Sequence, residues 1–110
     1  MEDKILDTIK QMCDVAGIDS FDTDLKIYIN TTLDELRDNS VGIAGFYLTT
    51  GEETWDEFVL DPEDLGNAKT YVYCKVKPLF DPTISGSYKE TLNQQAEQCL
   101  WRLRNREGRY

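Results

Sequence analysis

The sequence predicts an all-α fold: about four helices in a small antiparallel bundle, a long loop between the second and third helices, and a protruding C-terminal helix. Three observations predict it. Apolar residues recur at helical spacing along four stretches of the chain, and turn-forming residues separate these stretches. The length of 110 residues also suits one domain, which we expect to span 1–110.

The first two helices are predicted within residues 1–39. The first carries one apolar stripe, made of Ile5, Leu6, Ile9, Met12 and Cys13. We expect Gly17 to close this helix, because glycine commonly ends helices. The second helix is expected to begin with Asp22 or Thr23 as its cap and to run to about Asn39.

Residues 40–61, which we call the flap, do not keep a helical period. Alternating β-forming residues and a "TGEE" turn leave a short β-hairpin or a helical turn open within the flap. Its role also has two interpretations. The flap packs on the core through Trp55 and Phe58, or it contacts a neighbouring subunit or partner through Phe46, Tyr47, Glu52, Glu53, Trp55, Asp56 and Phe58.

The third helix is predicted over residues 62–79. Asp61 is expected to cap it, and Pro62 suits its first position because the missing N–H costs nothing there. Pro78 disfavours helical conformation at Lys77, so the helix should end or kink at that point.

A helix–helix corner is predicted over residues 80–87. Its joint consists of Pro78, Phe80, Asp81 and Pro82, in which the prolines limit backbone freedom and Phe80 can plug the corner into the core. Ser87 and Glu90 match a capping box. They predict a fourth helix over residues 88–106, followed by a tail over residues 107–110.

Charge is unevenly distributed along the chain. Residues 1–64 carry 17 acids and 4 bases, whereas residues 65–110 carry 4 acids and 8 bases. We interpret the basic C-terminal end as a docking arm, because arginine and aromatic residues dominate protein interfaces. The arm consists of Trp101, Arg102, Arg104, Arg106, Arg109 and Tyr110. Alternatively, Trp101 is a core residue and the arginines only complement the helix dipole.

The sequence offers little for catalysis or metal binding. It has no histidine, so triads with an imidazole base are excluded, and it has no phosphate-binding glycine loop. Cys13, Cys74 and Cys99 fall among apolar positions, which predicts core residues and not a disulfide framework or zinc site. We therefore expect no enzyme activity, no cofactor and no metal.

No apolar run approaches the roughly 20 residues that a membrane-spanning helix needs. The first ten residues are acidic and amphipathic, unlike a secretory signal. These features predict a chain that does not contact membranes and stays in a cytoplasm.

Residues 70–104 resemble the C-terminal half of the head-tail connector proteins of tailed bacteriophages. The shared motifs are Tyr71-Val72-Tyr73, Phe80-Asp81-Pro82 and Trp101-Arg102-Leu103. The segment from Glu53 to Phe58 also resembles the acidic, tryptophan-containing segment before the third helix of these proteins. The chain departs from the family pattern at Pro78, Thr83 and Leu100.

The resemblance implies a small helical adaptor that catalyses no reaction. Copies would form a ring, commonly a dodecamer, below the portal protein, where the ring extends the DNA channel and receives a stopper or tail-completion protein. DNA would pass through without sequence-specific binding. The implied location is the head–tail interface of the virion, with the bacterial host cytoplasm during assembly or as a prophage product.

An acidic helical module that mimics DNA is the alternative from another class. Such a mimic needs carboxylates spaced like phosphates and has no use for a basic arm. The arginines at the C-terminal end therefore favour an assembly protein.

Overall fold

The computed structural model describes residues 3–59 and 61–107, with side chains as far as Asn105. Its helices are α1 (Ile5–Met12), α2 (Asp22–Asp38), α3 (Trp55–Phe58), α4 (Leu65–Phe80) and α5 (Gly86–Glu107), and a 3₁₀ turn over Pro62–Asp64 leads into α4. No strand occurs among the described residues, and the predicted all-α class is confirmed. The open alternative of a β-hairpin in the flap is wrong, since the flap forms only an isolated bridge, between Thr54 and Lys4.

Ion pairs and ring contacts fix the directions of the first three long helices. The Lys10 ammonium at the end of α1 lies 2.8 Å from the carboxylate of Asp22 at the beginning of α2. The ring of Phe80 at the end of α4 meets Phe21, just before α2, edge-on at a centroid distance of 5.1 Å. The helices α1 and α4 are therefore both antiparallel to α2, and they run in the same direction.

The last helix returns along α4. Near its beginning, the Tyr88 hydroxyl lies 3.2 Å from that of Tyr73, and near its end Arg102 reaches Asn67 at 3.5 Å. The result is an up-down-up-down bundle. The α1–α2 turn and the α4–α5 joint lie at one end, and the C-terminal end of α5 lies at the other.

The core draws on every long helix and on the flap. Buried residues of α5 are Leu92, Ala96, Cys99 and Leu103, which recur at helical spacing and face α4. Because Leu103 is only 2% exposed, α5 is packed along most of its length and does not protrude as expected. All three cysteines are buried free thiols, as predicted.

The predicted beginnings and ends of the first two helices need correction. The first helix ends at Met12, because Asp14 already adopts a left-handed φ of 62° before Gly17 is reached. The second begins at Asp22 with Phe21 in the cap position, and no side chain caps it. Its end at Asp38 lies close to the predicted Asn39.

Pro78 does not end the third predicted helix, which continues to Phe80. A proline in the last turn removes a single backbone donor, and the amide of Asp81 still bonds the Lys77 carbonyl at 2.8 Å. At the other end, the predicted cap is present: the Asp61 carboxylate accepts a bond from the Glu63 amide, 3.0 Å away, with Pro62 next to the cap.

The predicted capping box of the last helix is also wrong. The helix begins at Gly86, and the hydroxyl of Ser85 accepts the Tyr88 amide bond at 3.1 Å, which leaves Ser87 inside the helix. A capping box does occur in the flap, where Thr54 and Glu57 bond each other's backbone amides.

Candidate protein-binding surfaces

The flap is fixed to α2 by side chains that bond its backbone. Asn30 pairs with Leu48 through two bonds, donating to its carbonyl at 3.1 Å and accepting from its amide at 2.7 Å. Arg37 donates to the Phe46 carbonyl and also forms an ion pair with Asp34. These bonds hold the flap in a single conformation even though it contains little regular structure.

A tight turn in the flap is built around the carboxylate of Glu53. This carboxylate accepts bonds from the amides of Thr49 and Gly51 at 2.9 Å and from that of Thr50 at 3.2 Å. Burial tends to raise the pKa of Glu53, but these bonds to the charged form outweigh it and lower the pKa to about 2. The anionic form of Glu53 therefore stabilises the turn.

Two of the proposed contact residues of the flap are core residues. Trp55 is 1% exposed and donates from its indole Nε1 to the Thr8 hydroxyl at 3.0 Å, and Phe58 is fully buried. Phe58 also packs against Gly42, where the backbone has a φ of +92° and no space for a side chain. Trp55 and Phe58 are therefore inaccessible to a neighbouring chain. They pack on the core, as in the alternative interpretation of the flap.

The remaining flap residues differ in exposure. Phe46 is half-buried against Phe58, with ring centroids 5.3 Å apart, and Glu53 is half-buried in its turn. Of the flap residues that the sequence predicts as contacts, Tyr47, Glu52 and Asp56 are exposed. The Tyr47 ring lies 4.4 Å from the guanidinium carbon of Arg37, so this exposed aromatic side chain is held in place.

The corner joint is held by contacts of Phe80 and Asp81. Phe80 is half-buried and packs against the core and Phe21. The Asp81 carboxylate accepts bonds from the hydroxyl of Thr83 at 2.6 Å and from its amide at 3.3 Å. The bond from the Thr83 hydroxyl is the main cause that lowers the pKa of Asp81. Pro82 is exposed, and Pro78 lies within the last turn of α4.

The arm presents the most exposed large hydrophobic side chain among the described residues. Trp101 is 65% exposed and shares one face of α5 with Glu97, Leu100, Arg104 and Asn105. It is therefore not a core residue, which removes the alternative interpretation of the arm for this side chain. Arg102 points instead toward Asn67 on α4. The predicted arm residues Arg106, Arg109 and Tyr110 lie outside the side chains that the structure describes.

Most described basic side chains separate into two groups, and the exception is Lys26, which donates to the Thr49 carbonyl at 3.3 Å. Lys4, Lys10, Arg37, Lys69 and Lys77 each form an ion pair with a carboxylate of the same chain. Within the described part of the chain, no carboxylate lies within 4 Å of the bases on the outer surface of α4 and α5, which are Lys75, Lys89, Arg102 and Arg104. Sequence reasoning missed Lys75 and Lys89, although Lys75 interrupts an otherwise apolar stripe.

Among the described residues, the shifted pKa values belong to groups that form structural bonds or are buried in the core. Burial and the Glu35 carboxylate, which accepts a bond from the Tyr71 hydroxyl at 3.1 Å, raise the pKa of Tyr71. The described residues contain no group of carboxylates and thiols arranged to hold a metal ion. No described helix has both the length and the apolar character to cross a membrane. The exposed side chains Trp101 and Tyr47 are of types that are enriched in protein interfaces.

Comparison with protein families identifies the chain. The family model described as phage connector protein matches residues 5–109, nearly the whole sequence. No curated protein and no solved structure gave a significant match. The family role is structural, at the junction of the phage head with portal or tail components, which favours the connector over the DNA-mimic alternative. Since this match covers far more than half of the sequence, the chain belongs to the phage connector protein family.

Proposed function

We propose that copies of this chain form a ring between the portal protein and a stopper or tail-completion protein, and that the ring extends the DNA channel and completes the head after packaging. The ring catalyses no reaction and acts through the shape and charge of its surface. A dodecamer is the expected copy number. The observation that carries the proposal is Trp101, a large aromatic side chain that α5 holds 65% exposed on the same face as Arg104.

The arm docks on the portal. An exposed tryptophan on a rigid helix loses little conformational freedom on binding, and tryptophan and arginine supply most hot-spot energy in protein interfaces. Arg104 lies on the same helix face as Trp101, so both side chains reach one partner surface together. The flap, through Tyr47, Glu52 and Asp56, faces a neighbouring subunit or the next component.

The excess of acids supports passage of DNA without binding. Carboxylates that face the channel repel the phosphates, so DNA does not adhere to the wall as it moves. The ring is located in the virion, and its subunits wait in the host cytoplasm before assembly or are made there from a prophage.

Trp101→Ala tests the docking of the arm. Its loss should weaken binding to purified portal rings by about 30-fold, the effect of losing about 2 kcal/mol at a hot spot. Ile27→Ala is the matched control, because Ile27 on α2 is also well exposed, at 57%. Co-sedimentation with portal rings measures binding, and equal binding by the two variants contradicts the docking arm.

A shorter chain tests the rest of the arm. A stop codon after Asn105 removes Arg106, Arg109 and Tyr110 but keeps Leu103, which belongs to the core. We expect this chain to fold and to bind portal rings more weakly than the full chain. Undiminished binding would restrict the arm to Trp101, Arg102 and Arg104.

A further inference from the structure

A groove lies between α2, α4 and α5 on the outer surface of the bundle. Its volume is about 230 Å³, and it is lined by residues of all three helices. The buried side chains of Thr32 and Cys74 contribute to its floor. Lys75, Lys89 and Leu79 lie along it, and Leu79 is 49% exposed. The groove therefore has an exposed apolar side chain on α4 and one lysine each from α4 and α5.

Its size suits a side chain of another protein better than a small ligand. Pockets for small molecules typically occupy about 300–1,000 Å³, more than this groove offers. A helix of a partner could place one apolar side chain beside Leu79 while its acids approach the lysines.

The charge of the groove is not balanced within the molecule. No described carboxylate lies within 4 Å of Lys75 or Lys89, and the Lys75 ammonium lies 5.8 Å from the centroid of the Tyr71 ring. Glu35 also lines the groove, but its carboxylate accepts the bond from the Tyr71 hydroxyl. A partner with carboxylates would supply the missing counter-charge.

The outer surface of α1 has the complementary character. Asp7, Gln11 and Met12 are exposed on α1, and Asp14 is exposed two residues beyond its end; neither aspartate forms an ion pair or side-chain hydrogen bond within the described residues. Methionine adapts its shape to irregular pockets, so Met12, 37% exposed, suits a groove of this size. We call this set the acidic face of α1.

The acidic face and the groove also lie at the same height in the bundle. α1 and α4 are parallel, and the ion pair of Asp3 with Lys69 sets their register. At the same rise per residue, residues 7–12 of α1 lie level with residues 73–78 of α4, which include Lys75 and end next to Leu79. A neighbour moved sideways, without a shift along the bundle axis, thus brings the two surfaces together.

We propose that the acidic face of α1 in one copy docks in the groove between α2, α4 and α5 of the next copy. The inference deepens the proposed ring and rests on it. Because the two surfaces differ, the contact is head-to-tail, and repeated rotation about one axis closes it into a ring. Opposite charges on the two surfaces fix the register of neighbouring copies.

Disulfide trapping tests this contact without any portal protein. One chain carries Gln11→Cys, and a second chain, of different size through a tag, carries Asn93→Cys in the groove. The native cysteines are at most 4% exposed, and because Cys74 lies in the floor of the groove, both chains also carry Cys74→Ala. Mild oxidation should link the two chains. Gln98→Cys, exposed on another part of α5, replaces Asn93→Cys in the control mixture, which should give at least tenfold less linked product.

Charge reversal makes the test specific. Asp7→Lys with Asp14→Lys in the Gln11→Cys chain should lower the yield of linked dimer at least tenfold, since like charges then oppose docking. Lys75→Glu with Lys89→Glu in the Asn93→Cys chain should restore it. If circular dichroism shows that Lys75→Glu disturbs the fold, the Asn93→Cys chain carries Lys89→Glu alone. Equal trapping with the Gln98→Cys control, or no restoration by the second reversal, would overturn the proposal.

The trapping experiment tests the contact between copies, whereas the portal-binding experiment tests the arm, so the two proposals can be contradicted independently. Trapping without portal binding would support the contact between copies and contradict the arm. Portal binding without specific trapping would leave the arm intact and overturn the α1–groove contact.

Discussion

At the residue scale, Gly42 shows how tightly the flap is packed. An added Cβ would lie 2.3 Å from the ring of Phe58, and the φ of +92° disfavours any side chain. Phe58 is fully buried and cannot move aside without opening the core. A side chain at position 42 would therefore displace Phe58 from the core.

Gly42→Ala should lower the free energy of unfolding by about 2–5 kcal/mol, through backbone strain and overpacking together. Gly45→Ala is the matched control. Its φ of +78° imposes similar strain, but no atom lies within 4 Å of the added Cβ, so a loss of about 1 kcal/mol is expected. Urea unfolding of both variants measures the difference, and equal losses would show that the contact with Phe58 is not limiting.

Glu53 makes stability depend on pH. Its pKa is lowered to about 2, so its contribution is complete above the unfolded value near 4.5 and disappears as the pH falls through about 2. Glu53→Gln should cost on the order of 1 kcal/mol at pH 7, because solvent screens much of the effect, and almost nothing at pH 2. Urea unfolding at both pH values checks this. Glu52→Gln, whose carboxylate is exposed, serves as the control, and a Glu53 effect that does not change with pH would contradict the turn.

At the element scale, the start of α5 depends on one of two nearby serines. Ser85 caps the helix, and Ser87 is already inside it. Ser85→Ala should cost about 1 kcal/mol, whereas Ser87→Ala should change the free energy of unfolding by less than about 0.5 kcal/mol. Thermal unfolding of the two variants distinguishes them, and the reverse order of losses would move the cap to Ser87.

The elements also show what periodicity can and cannot predict. The long helices were predictable because each carries a sustained apolar stripe, and burial confirms those stripes at Leu6, Leu25 and Val72. Their ends were less predictable, since short-range signals compete. Ser85 and Ser87 are both capping residues, and only the path of the corner decides between them.

The candidate surfaces were predictable to a smaller extent. The sequence neighbours of Trp55 and Trp101 are compatible with either burial or exposure. Trp55 is nevertheless 1% exposed, whereas Trp101 is 65% exposed. Tertiary packing against α1 decides the first case, and no local pattern contains that information. The groove was not predictable either, because three separate segments form it.

At the scale of the whole molecule, the flap and the bundle should unfold together. Trp55 lies in the core between α1 and the flap, so its fluorescence reports on the flap. In a Trp101→Phe chain, Trp55 is the only tryptophan. We expect its fluorescence and the helical circular dichroism signal to give the same urea midpoint, as in a two-state transition. A lower midpoint for fluorescence would show that the flap opens separately.

The buried thiols have a consequence for a particle that leaves its host. Burial raises the pKa of Cys13, of Cys99 and of Cys74, the last to about 11. Thiolate, the form that reacts with oxidants, is then scarce at neutral pH. A connector that passes from the reducing interior of a bacterium to aerated surroundings would keep its cysteine thiols unmodified, and these thiols would not join neighbouring subunits covalently while the phage waits for its next cell.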